Sequence, residues 1–442
     1  MDHGARAGQL TATGAEPEAG GGYGRGAAIL SVGIGITGLV TYAYFSLASH
    51  SLSDEAYGRI TLLWSAVFIV VSVLYRPVEQ LLSRTIAERD AHGREGSEHL
   101  RVAATIQLAL GVVFAAMALA LRGPIEDDLF GGSSTLYWVL IGAVLFYAAS
   151  YFARGYLAGH RRFGLYGLLV FLEATSRVLF ALAVAVGIAE GQDVVALGIL
   201  AAPLFSLVVV PWALSRRLRS AEVADPEAVA KDPDGAEFTL ANGAGFAAAV
   251  LLIMLAEQTF LNAGPLLVKA TEGAEGAALA GFAFNVLLIA RAPLQLFQSV
   301  QTSILPHLTR VSATGDREEF RRAVGVTLRA IAAFAAAVAL AMLVAGPWFM
   351  ELFFGESDEY DRGGLVLVAV GMGLYLAAAT LNQAALARGR TKQAAACWVG
   401  SAAAFVAMLL VPLLDSPVLQ LEVAYVAGAL LLCGLLYGLY RR

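Results

Sequence analysis

Apolar positions along this chain follow neither the alternation of a half-buried strand nor the stripe of a soluble amphipathic helix. They come in long runs that are apolar all round. A helix crossing the hydrocarbon core of a bilayer needs about 20 mostly apolar residues. Runs of that kind lie near 27–48, 57–81, 101–121, 135–156, 164–188, 194–214, 239–268, 277–303, 323–352, 363–386, 393–413 and 419–440. The pattern predicts an all-α polytopic membrane protein with about twelve transmembrane helices. The seventh and ninth runs are long and contain Gly264-Pro265 and Gly346-Pro347, so both are expected to be bent or tilted, with a helix break at Gly264-Pro265. Residues 1–24 are rich in Gly, Ala and Glu and lack hydrophobic periodicity, which predicts a disordered cytoplasmic tail. The run from Ala27 to Ala48 is longer than a signal-peptide core and has no clear cleavage motif, so a retained first helix is expected.

Composition agrees with the pattern. The 442 residues are 58% hydrophobic and 15% charged, with a mean hydropathy of +0.69. Soluble domains are about 45–50% apolar and about 25% charged, so the solvent here is lipid. The net charge of −5 decides little. No basic stripe with interleaved aromatics is present, and no nucleic-acid partner is expected. Cys397 and Cys433 both sit in apolar runs and read as small buried hydrophobes.

The distribution of positive charge is more informative. Most of the 30 Lys and Arg residues gather in alternate loops. They are Arg84, Arg89, Arg94 and Arg101; Arg154, Arg161 and Arg162; Arg216, Arg217, Arg219 and Lys231; Arg310, Arg317, Arg321 and Arg322; Arg388, Arg390 and Lys392; and Arg441 and Arg442. The intervening loops hold Arg59, Arg122, Lys269 and Arg362 beside acids such as Asp127, Asp128, Asp358 and Glu359. The positive-inside bias assigns the rich side, and both termini, to the cytoplasm. Strict alternation also requires an even number of crossings.

Ser215 to Glu237 is the longest internal polar stretch. It divides the chain into a six-helix bundle over 25–214, a cytoplasmic linker over 215–238 and a second six-helix bundle over 239–442. The halves echo each other. Arg76-Pro-Val-Glu-Gln80-Leu-Leu-Ser83 corresponds to Arg291-Ala-Pro-Leu-Gln295-Leu-Phe-Gln298, and Leu157-Ala-Gly-His-Arg161-Arg162 to Leu386-Ala-Arg-Gly-Arg390-Thr-Lys392. Two six-helix halves that both start inside form a parallel, pseudo-symmetric repeat about an axis along the membrane normal.

Candidate chemistry lies in charges within the spans, because a charge at mid-bilayer costs roughly 2.5–3.5 kcal/mol and so faces a cavity or a partner. Arg177 is about 22 Å along its helix from Arg162 at 1.5 Å per residue, near the membrane centre. Glu173 precedes it by one turn, in the favourable order for an ion pair. Arg291 has no acid within four residues and is followed by Gln295 and Gln298 at i+4 and i+7. This polar stripe suits either a cavity or a hydrogen-bonded helix seam. Arg76, with Glu79, Gln80 and Ser83, is its counterpart nearer the cytoplasmic end, where a long side chain can also snorkel. Glu257, Gln258 and Asn262 precede Gly264-Pro265; Glu257 reads either as a proton or sodium site or as the partner of Arg291. Asn285, Asn382, Tyr42 and Tyr44 fit ordinary packing. The chain has no Gly-x-x-x-x-Gly-Lys-Ser/Thr run and no His-Glu-x-x-His or paired Cys-x-x-Cys. Neither ATP hydrolysis nor a metal or other cofactor is expected. Short outer loops leave no room for a catalytic domain, so the expectation is a transporter and not an enzyme.

Leu52-Ser-Asp-Glu-Ala-Tyr57-Gly58, Arg76-Pro77 with Gln80, and Arg154-Gly-Tyr-Leu-Ala-Gly159 with Arg162-Phe163 and Tyr166 come in a distinctive order, followed by Glu173 and Arg177. The second half adds Leu261-Asn262-Ala-Gly264-Pro265, Ala290-Arg291-Ala-Pro293, Leu305-Pro306 and Gly315-Asp316. From about residue 27 to 440 this series resembles the polysaccharide transporter branch of the multidrug, oligosaccharidyl-lipid and polysaccharide (MOP) flippase superfamily. Its single motifs are degenerate; their order carries the resemblance. The resemblance implies two bundles around a central cavity that opens alternately to each side of the bacterial cytoplasmic membrane. It also implies a lipid-linked oligosaccharide as cargo and cavity residues Arg76, Arg177 and Arg291 for the anionic phosphate-sugar region. Gln80, Gln295, Gln298 and Asn262 are further cavity candidates, and other polysaccharide-assembly membrane proteins are candidate partners. Glu257, Glu173 and Glu79 are the candidates for H+ or Na+ coupling. Twelve spans, and not the fourteen of lipid II flippases, argue against lipid II itself. The competing readings are an ion-coupled multidrug antiporter of the same superfamily and a non-transporting scaffold of a polysaccharide assembly complex.

Overall fold

The computed structural model describes residues 19–91, 96–211, 240–273, 276–289, 317–355 and 360–441. The expected linker, and the part of the eighth span that carries Arg291, Gln295 and Gln298, lie outside the described residues. The helices of the first half are α1 (Ala19–Ser51), α2 (Asp54–Leu74), α3 (Arg76–Ala91), α4 (Glu98–Ala120), α5 (Ser134–Gly159), α6 (Phe163–Ala185) and α7 (Gln192–Ser206). Those of the second half are α8 (Leu240–Glu272), α9 (Gly276–Ile289), α10 (Arg317–Phe354), α11 (Arg362–Ala387), α12 (Thr391–Leu410) and α13 (Pro417–Arg441). Among the described residues, ten helices are long and apolar enough to cross a membrane, with α2 and α3 counted as one. Helix α1 and the shorter apolar α9 take the first and eighth places. The protein is a multi-pass, all-α membrane protein.

The starts of these helices follow from local chemistry. Ser53 accepts a hydrogen bond from the Ala56 N–H, Ser133 from Leu136, and Asp361 from Gly364 (3.0 Å). These caps satisfy N–H groups that a helix start leaves without partners. The second span breaks at Tyr75, just before Arg76-Pro77, because proline has no N–H to continue the ladder and crowds the preceding turn.

Two expectations change. Helix α1 begins at Ala19, inside the stretch expected to be tail; once nucleated, a helix extends into neighbouring glycines at about 1 kcal/mol each. Helix α8 runs without a break through Gly264-Pro265, as α10 does through Pro347. At Gly264 a Cβ would press on Leu421 and Leu287, so packing from α13 and α9 holds α8 together where the proline weakens it.

The repeat is visible in packing. In the first half α1 lies on α6, α6 on α7, α5 on α7 and α4 on α5; in the second, α8 lies on α12, α12 on α13, α11 on α13 and α10 on α11. It is visible again in the two matching turns. Arg162 N donates to Leu157 O (2.8 Å) and Arg161 N to Ala158 O (3.0 Å), just as Arg390 N donates to Ala385 O (2.9 Å) and Gly389 N to Leu386 O (2.9 Å). Both are Schellman closures, with the left-handed position held by Arg161 (φ 55) in one and Gly389 (φ 72) in the other. A left-handed residue with a Cβ costs about 1–2 kcal/mol, so Arg161→Gly is expected to raise the thermal unfolding temperature of the purified protein, whereas Gly389→Arg lowers it.

Among the described residues, the hydrogen bonds and ring contacts between the halves lie toward the arginine-poor end. Tyr57 of α2 donates to Asn285 of α9. Phe45 packs on Phe284 with centroids 4.6 Å apart, and Tyr42 meets Phe353 edge-on at 5.6 Å. Gly58 lies directly against the Ala277 carbonyl and Gly281 against the Gly58 backbone, a small-residue crossing that lets two membrane helices approach closely.

Gln420 closes the neighbouring α12–α13 turn. Its Nε2 donates to the carbonyls of Met408 (2.7 Å) and Val411 (2.7 Å), while its Oε1 accepts from Leu413 (3.1 Å) and Leu414 (3.3 Å). Gln420→Leu is expected to destabilise the fold by about 1–3 kcal/mol, the cost of orphaned buried polar groups, read as a lower melting temperature.

Candidate functional site

The first half buries a polar cluster built from α2, α3, α5 and α6. Helices α5 and α6 form a hairpin about the turn at 160–162, and Ser150 and Glu173 lie at similar distances from that turn on facing helices. Glu173 is 2% exposed. It accepts hydrogen bonds from Ser150 and from the Arg154 guanidinium, which also lies 4.5 Å over the Tyr151 ring. Glu173 therefore pairs across the hairpin with Arg154 and not with Arg177 on its own helix, as the spacing had suggested. A helical neighbour at i+4 reaches a carboxylate only if both side chains leave the same face toward each other; here the facing helix offers a better-aligned guanidinium.

Arg177 is left among aromatic rings. It is 4% exposed. Its Nη1 donates to the Tyr147 hydroxyl at 2.8 Å, and its guanidinium carbon lies 5.0 Å from the Trp64 ring centre and 5.9 Å from that of Phe68. Ring faces stabilise a cation by about 2 kcal/mol or more when it is desolvated, which explains how this charge is buried. No carboxylate forms an ion pair with it among the described residues, and its Nε has no hydrogen-bond partner. Guanidinium donors thus remain unspent.

Arg76 is half-buried at the break between α2 and α3. Glu257 of α8, in the other half, and Glu79 on its own helix supply the negative charge around it. Glu79 accepts a hydrogen bond from the Tyr166 hydroxyl at 2.9 Å. Below this pair a cavity of 380 Å³ reaches toward the arginine-rich end, lined by Glu79, Gln80, Ser83, Arg84, Phe163 and Tyr166. Asn262 is buried and donates to Gln258 on its own helix at 2.8 Å, apart from the first-half cluster.

The structure therefore gathers Arg76, Glu79, Glu173 and Arg177, expected from the sequence, into one half-molecule. It adds Arg154, a loop arginine by its place in the sequence, which lies inside α5 with a side chain only 12% exposed. It also adds Tyr147, Ser150, Tyr166 and Trp64. Counting back from the hairpin turn would have found Ser150 and Arg154, since a buried Glu173 needs a partner at its own depth.

No family model matches the chain. Uncharacterized proteins of Mycobacterium tuberculosis and Mycobacterium bovis are each 26% identical to it over 412 residues, which cover 91% of this chain and 88% of the relative. Among solved structures, the inward-facing form of a multidrug resistance MATE family transporter of the MOP superfamily superposes with a TM-score of 0.66 at 14% identity, covering 94% of this chain and 98% of that one. This chain has the MATE fold. The outward-facing form of such a transporter gives a TM-score of 0.61 at 16% identity, over 95% of this chain and 96% of that one. The eukaryotic MATE transporter AtDTX14 gives 0.61 at 15% identity, with the same coverage. The MATE fold comprises two helical bundles around a central cavity, and the pseudo-symmetric halves described above are those bundles.

Proposed function

We propose that this protein moves a lipid-linked oligosaccharide, of the polyprenyl-pyrophosphate kind, across the bacterial cytoplasmic membrane by alternating access, for cell-surface polysaccharide synthesis. It does so as a secondary transporter, with its arginine-rich end in the cytoplasm. The observation that carries the reading is Arg177, a deeply buried guanidinium without a carboxylate and with donors to spare. A pyrophosphate offers the paired oxygens that a guanidinium recognises bidentately. Arg76, at the boundary between the halves, meets the head group first, and the cavity beside Gln80 and Ser83 receives the sugar. The polyprenyl tail stays in lipid. Rocking of the halves then exposes the head on the far side. The MATE fold supports this movement. With the arginine-poor end outside, contacts between the halves at that end agree with the better superposition on an inward-facing transporter. Glu257, facing Arg76 across the halves, is a coupling candidate for H+ or Na+ at this site.

A second reading is an ion-coupled multidrug antiporter. Its support is the acid content of the same interior, where Glu79, Glu173 and Glu257 stand against Arg76, Arg154 and Arg177, together with the likeness to a multidrug resistance MATE family transporter. Arg177→Ala, at unchanged membrane abundance, separates the two. Loss of charge-assisted hydrogen bonds worth about 1.5–3 kcal/mol is expected to lower surface polysaccharide about tenfold or more, with lipid-linked saccharide accumulating inside. Arg291→Ala serves as the companion variant. Normal export without accumulation, combined with altered drug susceptibility, would favour the antiporter.

A further inference from the structure

Glu422 stands apart from the cluster described above. It belongs to α13, one turn and a half from the start of that helix, at the arginine-poor end of the second half. It is 5% exposed, yet among the described residues its side chain forms no hydrogen bond or ion pair. Its carboxylate presses on Gly364 in the first turn of α11, where it occupies the space a Cβ would need. The Gly364 N–H is already taken by Asp361 at 3.0 Å.

The charged groups around Glu422 can be named element by element. From α11, Asp361 is the charged group that acts on it, and Arg362 is exposed. From α8, Lys269 turns its ammonium to the Gly273 carbonyl. Helix α12 carries its one charged residue, Lys392, at the opposite end. Among the described residues no cation forms an ion pair with the carboxylate, and the charge that acts on it, Asp361, has the same sign. Burying an unpaired carboxylate is far more costly than burying the neutral acid. A sodium ion would require several oxygen ligands at once; the carboxylates at this turn are Glu422 and Asp361, and the Asp361 Oδ2 is already engaged by the Gly364 N–H.

Glu422 is also next to the contact between the halves. Tyr360 directly precedes Asp361 and is stacked on Phe282 with centroids 4.4 Å apart. Its hydroxyl accepts a hydrogen bond from Asn285 Nδ2 at 3.3 Å, and Asn285 Oδ1 accepts from Tyr57 of the first half. The start of α11 thus bears the Glu422 carboxyl at Gly364 and, next to its N-cap Asp361, Tyr360 of the Tyr57–Asn285–Tyr360 latch.

We propose that Glu422 is a proton-binding site that controls this latch: the protonated acid holds α13 against α11 and keeps the arginine-poor end closed, and proton release to that side lets α11 part from α13 and the latch open. The step is a proton transfer between the Glu422 carboxyl and water, with no other bond made or broken. Because the closed form binds the proton more tightly, closure is favoured at low pH and lost as pH rises. One coupled proton changes the closed-to-open ratio at most about tenfold per pH unit. The proposal rests on the alternating-access reading for its purpose, but its test requires no cargo.

In full-length protein with Cys397 and Cys433 replaced by serine, spin labels at Glu55→Cys and Arg362→Cys report the separation of the halves by pulsed electron resonance in lipid nanodiscs. From about pH 5 to about pH 9, a range that brackets the titration of a buried carboxyl, the closed population is expected to fall. Glu422→Gln, which mimics the neutral acid in size and polarity, is expected to stay closed throughout, while Asp361→Asn keeps a pH response. A pH-independent distance in the parent protein, or a pH response retained by a Glu422→Gln variant that elutes as a native monodisperse peak, overturns the proposal. If Glu422→Gln misfolds, Glu422→Asp serves instead: a shifted midpoint supports the proposal and an unshifted one overturns it. Export of lipid-linked sugar is measured separately, so failure of the cargo assignment leaves this result standing.

Discussion

Replacing Arg154 by alanine is expected to destabilise the protein by about 3–5 kcal/mol, the cost of breaking a buried ion pair from one side. Glu173 would keep only the Ser150 hydroxyl, and a carboxylate that is 2% exposed has no access to water. The double variant Arg154→Ala/Glu173→Gln removes the stranded charge, so it is expected to recover at least about 1 kcal/mol of that loss. Thermal unfolding in detergent, with yield of monodisperse protein as a second readout, measures both. Arg177→Ala provides the internal comparison. If Glu173 were paired along its own helix, Arg177→Ala would carry the large penalty and Arg154→Ala little. The cross-hairpin pairing predicts the reverse, with the effect of Arg177 concentrated in transport.

Gly58→Leu is the second large effect. The obstacle at Gly58 is the Ala277 main chain, not a side chain that can swing aside, and Gly281 brings the next turn of the same helix against the Gly58 backbone. Overpacking at a tight contact costs about 1–3 kcal/mol or more. Here that cost falls on the conformation in which the halves touch at the arginine-poor end, so the substitution is expected to shift the population toward an opened end by about 5- to 150-fold. Labels at Glu55→Cys and Arg362→Cys report this as a longer separation, with folding followed by elution profile. An unchanged distance distribution in well-folded Gly58→Leu protein would show that the crossing does not hold this end shut. The shift is independent of pH and so differs from the effect expected of Glu422→Gln, which stabilises the closed end.

The spans were legible in the sequence because a bilayer imposes one length on every crossing, and an apolar run either reaches it or does not. The two matching turns, Leu157–Arg162 and Leu386–Lys392, were legible for a related reason: a chain reversal between adjacent helices is a local event with local hydrogen bonds. Arg76, Glu79, Glu173 and Arg177 were found because a charge inside an apolar run costs too much to be incidental.

Partners were a different matter. Arg154 and Arg161 look alike in a linear list, but the hairpin carries Arg154 up to Glu173 and leaves Arg161 in the turn. Glu422 did not stand out among the residues of its span, since only the approach of α11 through Gly364 deprives it of water. Asn285 read as ordinary packing until Tyr57 and Tyr360 were brought to it from distant parts of the chain. The sequence by itself determined which segments are long and apolar enough to cross a membrane, and which charges had to be buried. The tertiary structure alone decided which charges meet, because the depth and facing of a side chain depend on helices that are far apart in sequence.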